Sequence, residues 1–307
     1  MPRLTDALER ARLVSSAENP VTTPTVKSAD EVLQTWYPDT TDAGPAPPPR
    51  AATAPDPIAA CRFPDHLMNK IVLGDQVDTG LVEQCRRVAA VLHHAQAQRG
   101  VRSVMVASAV PAEGKTLTAT NLALTLSHSF DRRVLLLDAD LRRPSVHEMF
   151  GLPNDHGLVD NLRFPNSGRL PVHAVSRNLW VLTAGQPTSD PMSILVSDMM
   201  KQLLADAMEQ FDWVIVDTPP VAMIPDTNLL AGMIDRALLV VSAGTTPYPL
   251  VKRAAAAIGA ERILGVILNR DERGVLAHEY DYYYGGYYRA PRPAPAPKRW
   301  FGLRSRN

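Results

Sequence analysis

The apolar residues of this chain follow two alternating patterns. Residues 104–107, 134–138, 213–217, 237–242 and 263–268 are unbroken apolar runs, several closed by an aspartate or a small polar residue. That is how strands buried on both faces of a parallel sheet read. Between them the period becomes helical. Residues 81–98 place Leu81, Cys85, Val88, Val91, Leu92 and Ala95 on one face, with Glu83 and Arg86 three apart on a neighbouring polar stripe. An ion pair there is worth a few tenths of a kcal/mol, and the same stripe is open to a partner chain. Helical spacing returns through Leu122, Leu124 and Leu126, over about 194–210 and over about 250–260, with a short strand at 179–183. The segment containing Gly151, Gly157 and Pro165 shows no clear period. Strands alternating with helices predict an α/β fold, a mostly parallel central sheet with helices on both faces and right-handed crossovers.

The two ends differ from this core. Residues 38–64 are crowded with Pro, Ala and Thr and hold few large apolar side chains, too little to offset the entropy of ordering them. Residues 1–65 therefore read as a weakly structured segment and linker, with Leu4, Leu8 and Ala11 forming either a short docking helix or a frayed terminus. Residues 66–279 carry the folded domain, and 280–307 a flexible tail. From Arg289 the tail has six Lys or Arg and no acid, beside Trp300, Phe301 and Leu303. Such a tail either rests on an anionic membrane surface or is simply solvated. Over the whole chain 32 basic residues balance 32 acidic ones, so no global field points to nucleic acid. Cys61 and Cys85 lack metal-ligand or disulfide spacing, and no apolar run approaches the length that spans a bilayer. A cytoplasmic, soluble or peripheral protein is expected.

Candidate chemistry gathers at the strand ends. After the run at 104–107, residues Ala109 to Thr116 read AVPAEGKT and open a helix. Strand, loop and helix are the context of a phosphate-binding loop. Backbone N–H groups of Val110, Pro111–Thr116 and the first helical turn at Leu117 converge on phosphate, proline excepted. Lys115 adds a point charge, and Thr116 a hydroxyl for magnesium. The run at 134–138 ends in Asp138-Ala139-Asp140, two carboxylates that reach one centre from a strand tip and repel unless a cation or proton lies between them. The run at 213–217 ends in Asp217 before Thr218-Pro219-Pro220, an acid at a sharp exit from the sheet. Such an acid holds a metal opposite the loop hydroxyl in nucleotide-hydrolysing folds. Six of the eight tyrosines, Tyr280, Tyr282, Tyr283, Tyr284, Tyr287 and Tyr288, cluster in the tail. They read either as a low-complexity stacking tail or as phosphate acceptors, each modification adding roughly −1.5 to −2 charges.

Together SAVPAEGKT, VLLLDADLRRP, WVIVDTPPV and the tyrosine cluster resemble the cytoplasmic bacterial tyrosine kinases of capsule and exopolysaccharide synthesis, the CpsD/CapB type. The resemblance implies a P-loop NTPase of the MinD/ParA-like branch that uses ATP and Mg2+ to phosphorylate its own tyrosine cluster. It implies catalytic roles for Lys115, Asp138 as base, Asp140 and Asp217, with Thr116, Asp140 and Asp217 organising the metal and Asn269 near the adenine. It also implies self-association, possible as a ring, and a separate membrane-bound polysaccharide co-polymerase that activates the kinase at the inner face of the membrane. The alternatives are a MinD/ParA-like ATPase switch and a nucleotide-binding scaffold. Partitioning ATPases carry a second lysine where this chain has Val110, which counts against the switch. Two departures stand out. The Glu-x-x-Arg-x-x-Arg pattern ends in Ala89, although Arg87 is available, and Ala112 replaces a usual glycine, an exchange that suits only a negative φ.

Overall fold

The computed structural model describes residues 63–73, 77–163, 171–222 and 226–271. The tyrosine cluster, the basic tail, Cys61 and the N-terminal segment lie outside them. Contacts divide the chain at Asn269/Arg270, and everything below belongs to the unit that ends at Asn269.

The apolar runs become β1 (Ser103–Ser108), β2 (Val134–Asp138), β5 (Trp213–Asp217), β6 (Arg236–Ser242) and β7 (Ile263–Asn269), joined by β3 (Val172–Ala174) and β4 (Leu179–Leu182) in one sheet of order β3-β4-β2-β5-β1-β6-β7. All neighbours are parallel except β3, which runs antiparallel to β4 at the edge. The strand pleat sends alternate residues to opposite faces. Val104, Val106, Leu136 and Ile215 enter one core, and Met105, Leu135, Leu137 and Val216 the other. Both faces of the central strands are thus sealed from water, and the only polar outlets are the strand ends.

The helices are α1 (Thr79–Arg99), α2 (Lys115–His128), α3 (Val146–Phe150), α4 (Leu158–Arg163), α5 (Pro191–Leu195), α6 (Asp198–Gln210), α7 (Asp226–Ala231) and α8 (Tyr248–Ile258). Three differ from expectation. In α1 the buried line is Ala89, Leu92 and Ala95, whereas Val91 is 43% exposed. Leu81, Cys85 and Val88 are partly buried against the same core, so the expected face is the packed one except that Ala89 joins it and Val91 leaves it, where α1 packs on α2. Its ion pair joins Glu83 to Arg87, four apart, at 3.9 Å, instead of to Arg86. The helix expected over 194–210 is two helices. Asp190 caps the first, with Pro191 in its first turn, and the Ser197 hydroxyl accepts from Met200 N to start the second. Both are ordinary N-cap signals. The segment without a clear period supplies α3 and α4, short helices whose apolar residues are too few to show a period.

Candidate active site

The loop between β1 and α2 is built on two backbone corners. Gly114 has φ +89 and Ala112 φ +64. The positive φ at Ala112 overturns the expectation for that residue. Pro111 and Ala112 form a turn whose third position takes a left-handed conformation, at roughly 1 to 2 kcal/mol for a residue with a Cβ. Glu113 turns inward and is 1% exposed, and its Oε2 accepts the Val110 N–H at 2.8 Å. The Val110 amide is therefore directed at Glu113 instead of toward a phosphate. Gly114 stands at the N-cap of α2 with no side-chain cap, which leaves the first-turn N–H groups of a 14-residue helix open to an anion. Leu117, in that turn, packs its side chain on the core. Asn269, at the end of β7, donates from Nδ2 to the Glu113 carbonyl at 2.8 Å, bracing the back of the loop.

The sheet register brings the acids to this loop. Asp138 lies directly beside Asp217 in the β2–β5 pairing, and both side chains are fully buried. Asp217 Oδ2 accepts the Thr116 hydroxyl at 2.6 Å, and Lys115 Nζ contacts Asp140 Oδ2 at 3.1 Å. Residues from two strand ends and one helix start thus meet. Asp138 accepts from Asp140 N at 3.1 Å and, through Oδ2, from Ser145 N and Val146 N at 3.0 Å each. It is Asp138 that receives the amides at the start of α3, whereas Asp140 accepts from Arg143 N.

Crowding like charges out of water moves their protonation. Burial, reinforced by Asp217, pushes the Asp138 carboxyl up to about 8 against the amides that hold it down. Burial also raises Asp217, to about 6, with Lys115 and the Thr116 hydroxyl opposing it. For Lys115 burial alone works downward, but Asp217 and Asp140 outweigh it and its pKa is raised. The cluster as a whole holds a surplus of negative charge, which a cation relieves.

The side chains suit magnesium. Asp217 Oδ1 is buried without a hydrogen-bond partner, an acceptor that a hard cation satisfies, and the Thr116 hydroxyl is already drawn to the same carboxylate. Among the described residues no cluster of three His, Cys, Asp or Glu could hold an ion unaided. Magnesium needs no such cage, since it keeps waters and phosphate oxygens in its shell.

Ser145 is a side chain the sequence did not point to. Its hydroxyl lies 3.1 Å from Thr116 Oγ1 while its amide holds Asp138. Ser145-Val146-His147-Glu148 has the spacing of a capping box, a signal that marks a helix start, although this hydroxyl caps nothing and faces Thr116 instead.

Comparison with known proteins gives concordant matches. The ParA family model, described as NUBPL iron-transfer P-loop NTPase, matches residues 101–271. The chain is 37% identical over 204 residues to the tyrosine-protein kinase YwqD of Bacillus subtilis, covering 66% of this chain and 85% of that protein. Among solved structures it is similar to the kinase domain of the Escherichia coli tyrosine kinase ETK, with 32% identity, TM-score 0.58 and coverage of 62% and 75%. It is also similar to the chimerical protein CapA2B2, with 27% identity, TM-score 0.61 and coverage of 66% and 89%.

Proposed function

We infer the activity of this protein from the premise that the chain belongs to the ParA family of P-loop NTPases and, within it, to the bacterial tyrosine-protein kinases. Its reaction is transfer of the γ-phosphoryl group of ATP to tyrosine hydroxyls, with Tyr280, Tyr282, Tyr283, Tyr284, Tyr287 and Tyr288 as the acceptors. The regulated process is exopolysaccharide or capsule synthesis and export. The observation that carries this reading is the convergence of Lys115, Thr116, Asp138, Asp140 and Asp217 at the open N-terminus of α2.

In this reading the α2 amides and Lys115 bind and orient the phosphates, and the ammonium is shared between the incoming anion and Asp140. Thr116 and Asp217, with Asp140 nearby, would hold magnesium, which would supply positive charge to offset that of the phosphates. Asp138 takes the proton of the attacking phenol. The phenol oxygen forms the new bond to the γ-phosphorus as the bond to the ADP oxygen breaks. Asn269 reaches the nucleotide site through the loop it braces.

No helix among the described residues is long and apolar enough to cross a membrane. The proposed setting is the inner face of the membrane, through a separate membrane-bound co-polymerase that activates the kinase, with copies of this chain associating so that one phosphorylates another. The test is incubation of the purified full chain with ATP and magnesium, followed by mapping of phosphate by mass spectrometry. Wild type is expected to carry phosphotyrosine in the cluster and Lys115→Met none. ATP hydrolysis without phosphotyrosine would reassign the protein as an ATPase switch, and retained phosphorylation in Lys115→Met would remove the loop from the mechanism.

A further inference from the structure

The phosphate loop contains an acid whose side chain has no place in the chemistry above. Glu113 is 1% exposed inside an anion-binding loop, a costly position for a carboxyl unless donors surround it. Oε2 accepts the Val110 N–H at 2.8 Å, and Oε1 accepts the Ser242 N–H at 3.0 Å and the Thr246 hydroxyl. Ser242 ends β6, and Thr246 lies in the turn that leads to α8. One side chain therefore ties the start of the loop to a turn 133 residues away in sequence.

The bond to Val110 closes the turn over Pro111 and Ala112 from within. That turn holds Ala112 at φ +64, a conformation a residue with a Cβ leaves unless its surroundings enforce it. If the corner relaxed to negative φ, the peptide planes that follow would rotate, and with them the amides of Gly114 and Lys115 that face the anion. Ala112 occupies a position where glycine would let the loop curve without help, and the Glu113 strut compensates for its stiffness.

We propose that Glu113 is a positioning residue that holds the phosphate loop in its anion-binding form, with the Ser242–Thr246 turn as its anchor. Nucleotide affinity then depends on Thr246, although Thr246 belongs to none of the phosphate-binding elements. This rests on the proposed kinase reading only in taking the loop to bind nucleotide.

The test is calorimetric titration of the full chain with MgADP, for wild type, Glu113→Gln, Glu113→Ala, Thr246→Val and Glu113→Ala/Thr246→Val. Loss of one buried hydrogen bond corresponds to about tenfold at most. Thr246→Val is expected to raise the Kd about three- to tenfold and Glu113→Ala about tenfold or more. Glu113→Gln keeps a single acceptor oxygen and falls between wild type and Glu113→Ala. The double variant binds no more weakly than Glu113→Ala, because Thr246 acts only through Glu113. Adding Ala112→Gly to Glu113→Ala restores part of the affinity, a rescue that general destabilisation would not produce. In the phosphorylation assay the change falls on KM for ATP, while kcat at saturating ATP stays within about threefold. If Glu113→Ala does not fold, Glu113→Gln and Thr246→Val carry the test. Binding by both within twofold of wild type overturns the proposal, as do additive effects in the double variant. Failure of wild type itself to bind MgADP overturns the kinase reading instead.

Discussion

Gly114→Ala tests the geometry of the loop at its tightest point. Gly114 has φ +89, and a Cβ built there would lie 2.2 Å from Asn269 Nδ2 and 3.5 Å from its Cγ. Two costs follow. A left-handed alanine costs roughly 1 to 2 kcal/mol. The Asn269 amide must also swing away and give up its 2.8 Å bond to the Glu113 carbonyl, about 1 kcal/mol net. The single variant should lose roughly 2 to 3 kcal/mol, and Asn269→Ala alone about 1 kcal/mol. In the double variant the displaced amide is counted once, so its cost should match that of Gly114→Ala, with a coupling of about 1 kcal/mol. Guanidinium unfolding in EDTA without nucleotide measures all four corners of the cycle, with the denaturant slope compared across variants. Two results would refute the reasoning: a Gly114→Ala cost under about 0.5 kcal/mol, or full additivity with Asn269→Ala.

Three further outcomes are expected. The folded-state pKa of Asp138 is raised from 3.8 to about 8. The fold therefore favours the protonated acid, and the Asp138 contribution is most favourable below pH 4 and declines as pH rises toward 8, by at most about 1.4 kcal/mol per unit. In EDTA, Asp138→Asn should gain on wild type by about 2 to 4 kcal/mol between pH 5 and 8, and parallel stability curves would show that the acid is not strained. In the kinase assay Asp140→Asn should raise the magnesium needed for half-maximal rate, whereas Asp138→Asn should lower the rate at saturating magnesium; identical magnesium dependence would mean the roles are divided wrongly. Ala89→Arg would complete the Glu-x-x-Arg-x-x-Arg pattern. Because Ala89 is fully buried, thermal melting should reveal a loss of about 3 kcal/mol or more, and a neutral melt would place α1 with the opposite face inward.

The features set by local pattern were legible in the chain itself. A run such as Val134–Asp138 buries both faces only in the middle of a parallel sheet, and an aspartate at its end can only emerge at the sheet edge, where ligands bind. Gly114-Lys115-Thr116 between such a run and a helical period carries its meaning in short-range geometry. Helix edges were legible where a capping residue marks them, and the break at Ser197 was missed because the apolar period on its two sides hid the cap. The edge of the buried face of α1 was missed for a different reason. Ala89 and Val91 are both apolar, and only the close approach of α2 decides that the smaller one faces in.

What tertiary structure alone decided are the contacts between segments far apart in sequence. The register that sets Asp138 beside Asp217, the Thr116 hydroxyl on that carboxylate, Ser145 against Thr116 and Glu113 against Thr246 all join residues from different crossovers. No periodicity encodes such a pairing, because it depends on which strand lies next to which and by how many residues each is shifted. The φ of Ala112 belongs here too. Its sequence neighbours permit the negative region, and the positive one is held by a side chain whose other oxygen is fixed from the end of the neighbouring strand β6. Local composition determined which elements form and what side chains they carry, and the packing of the sheet determined which of those side chains lie within hydrogen-bond reach of one another.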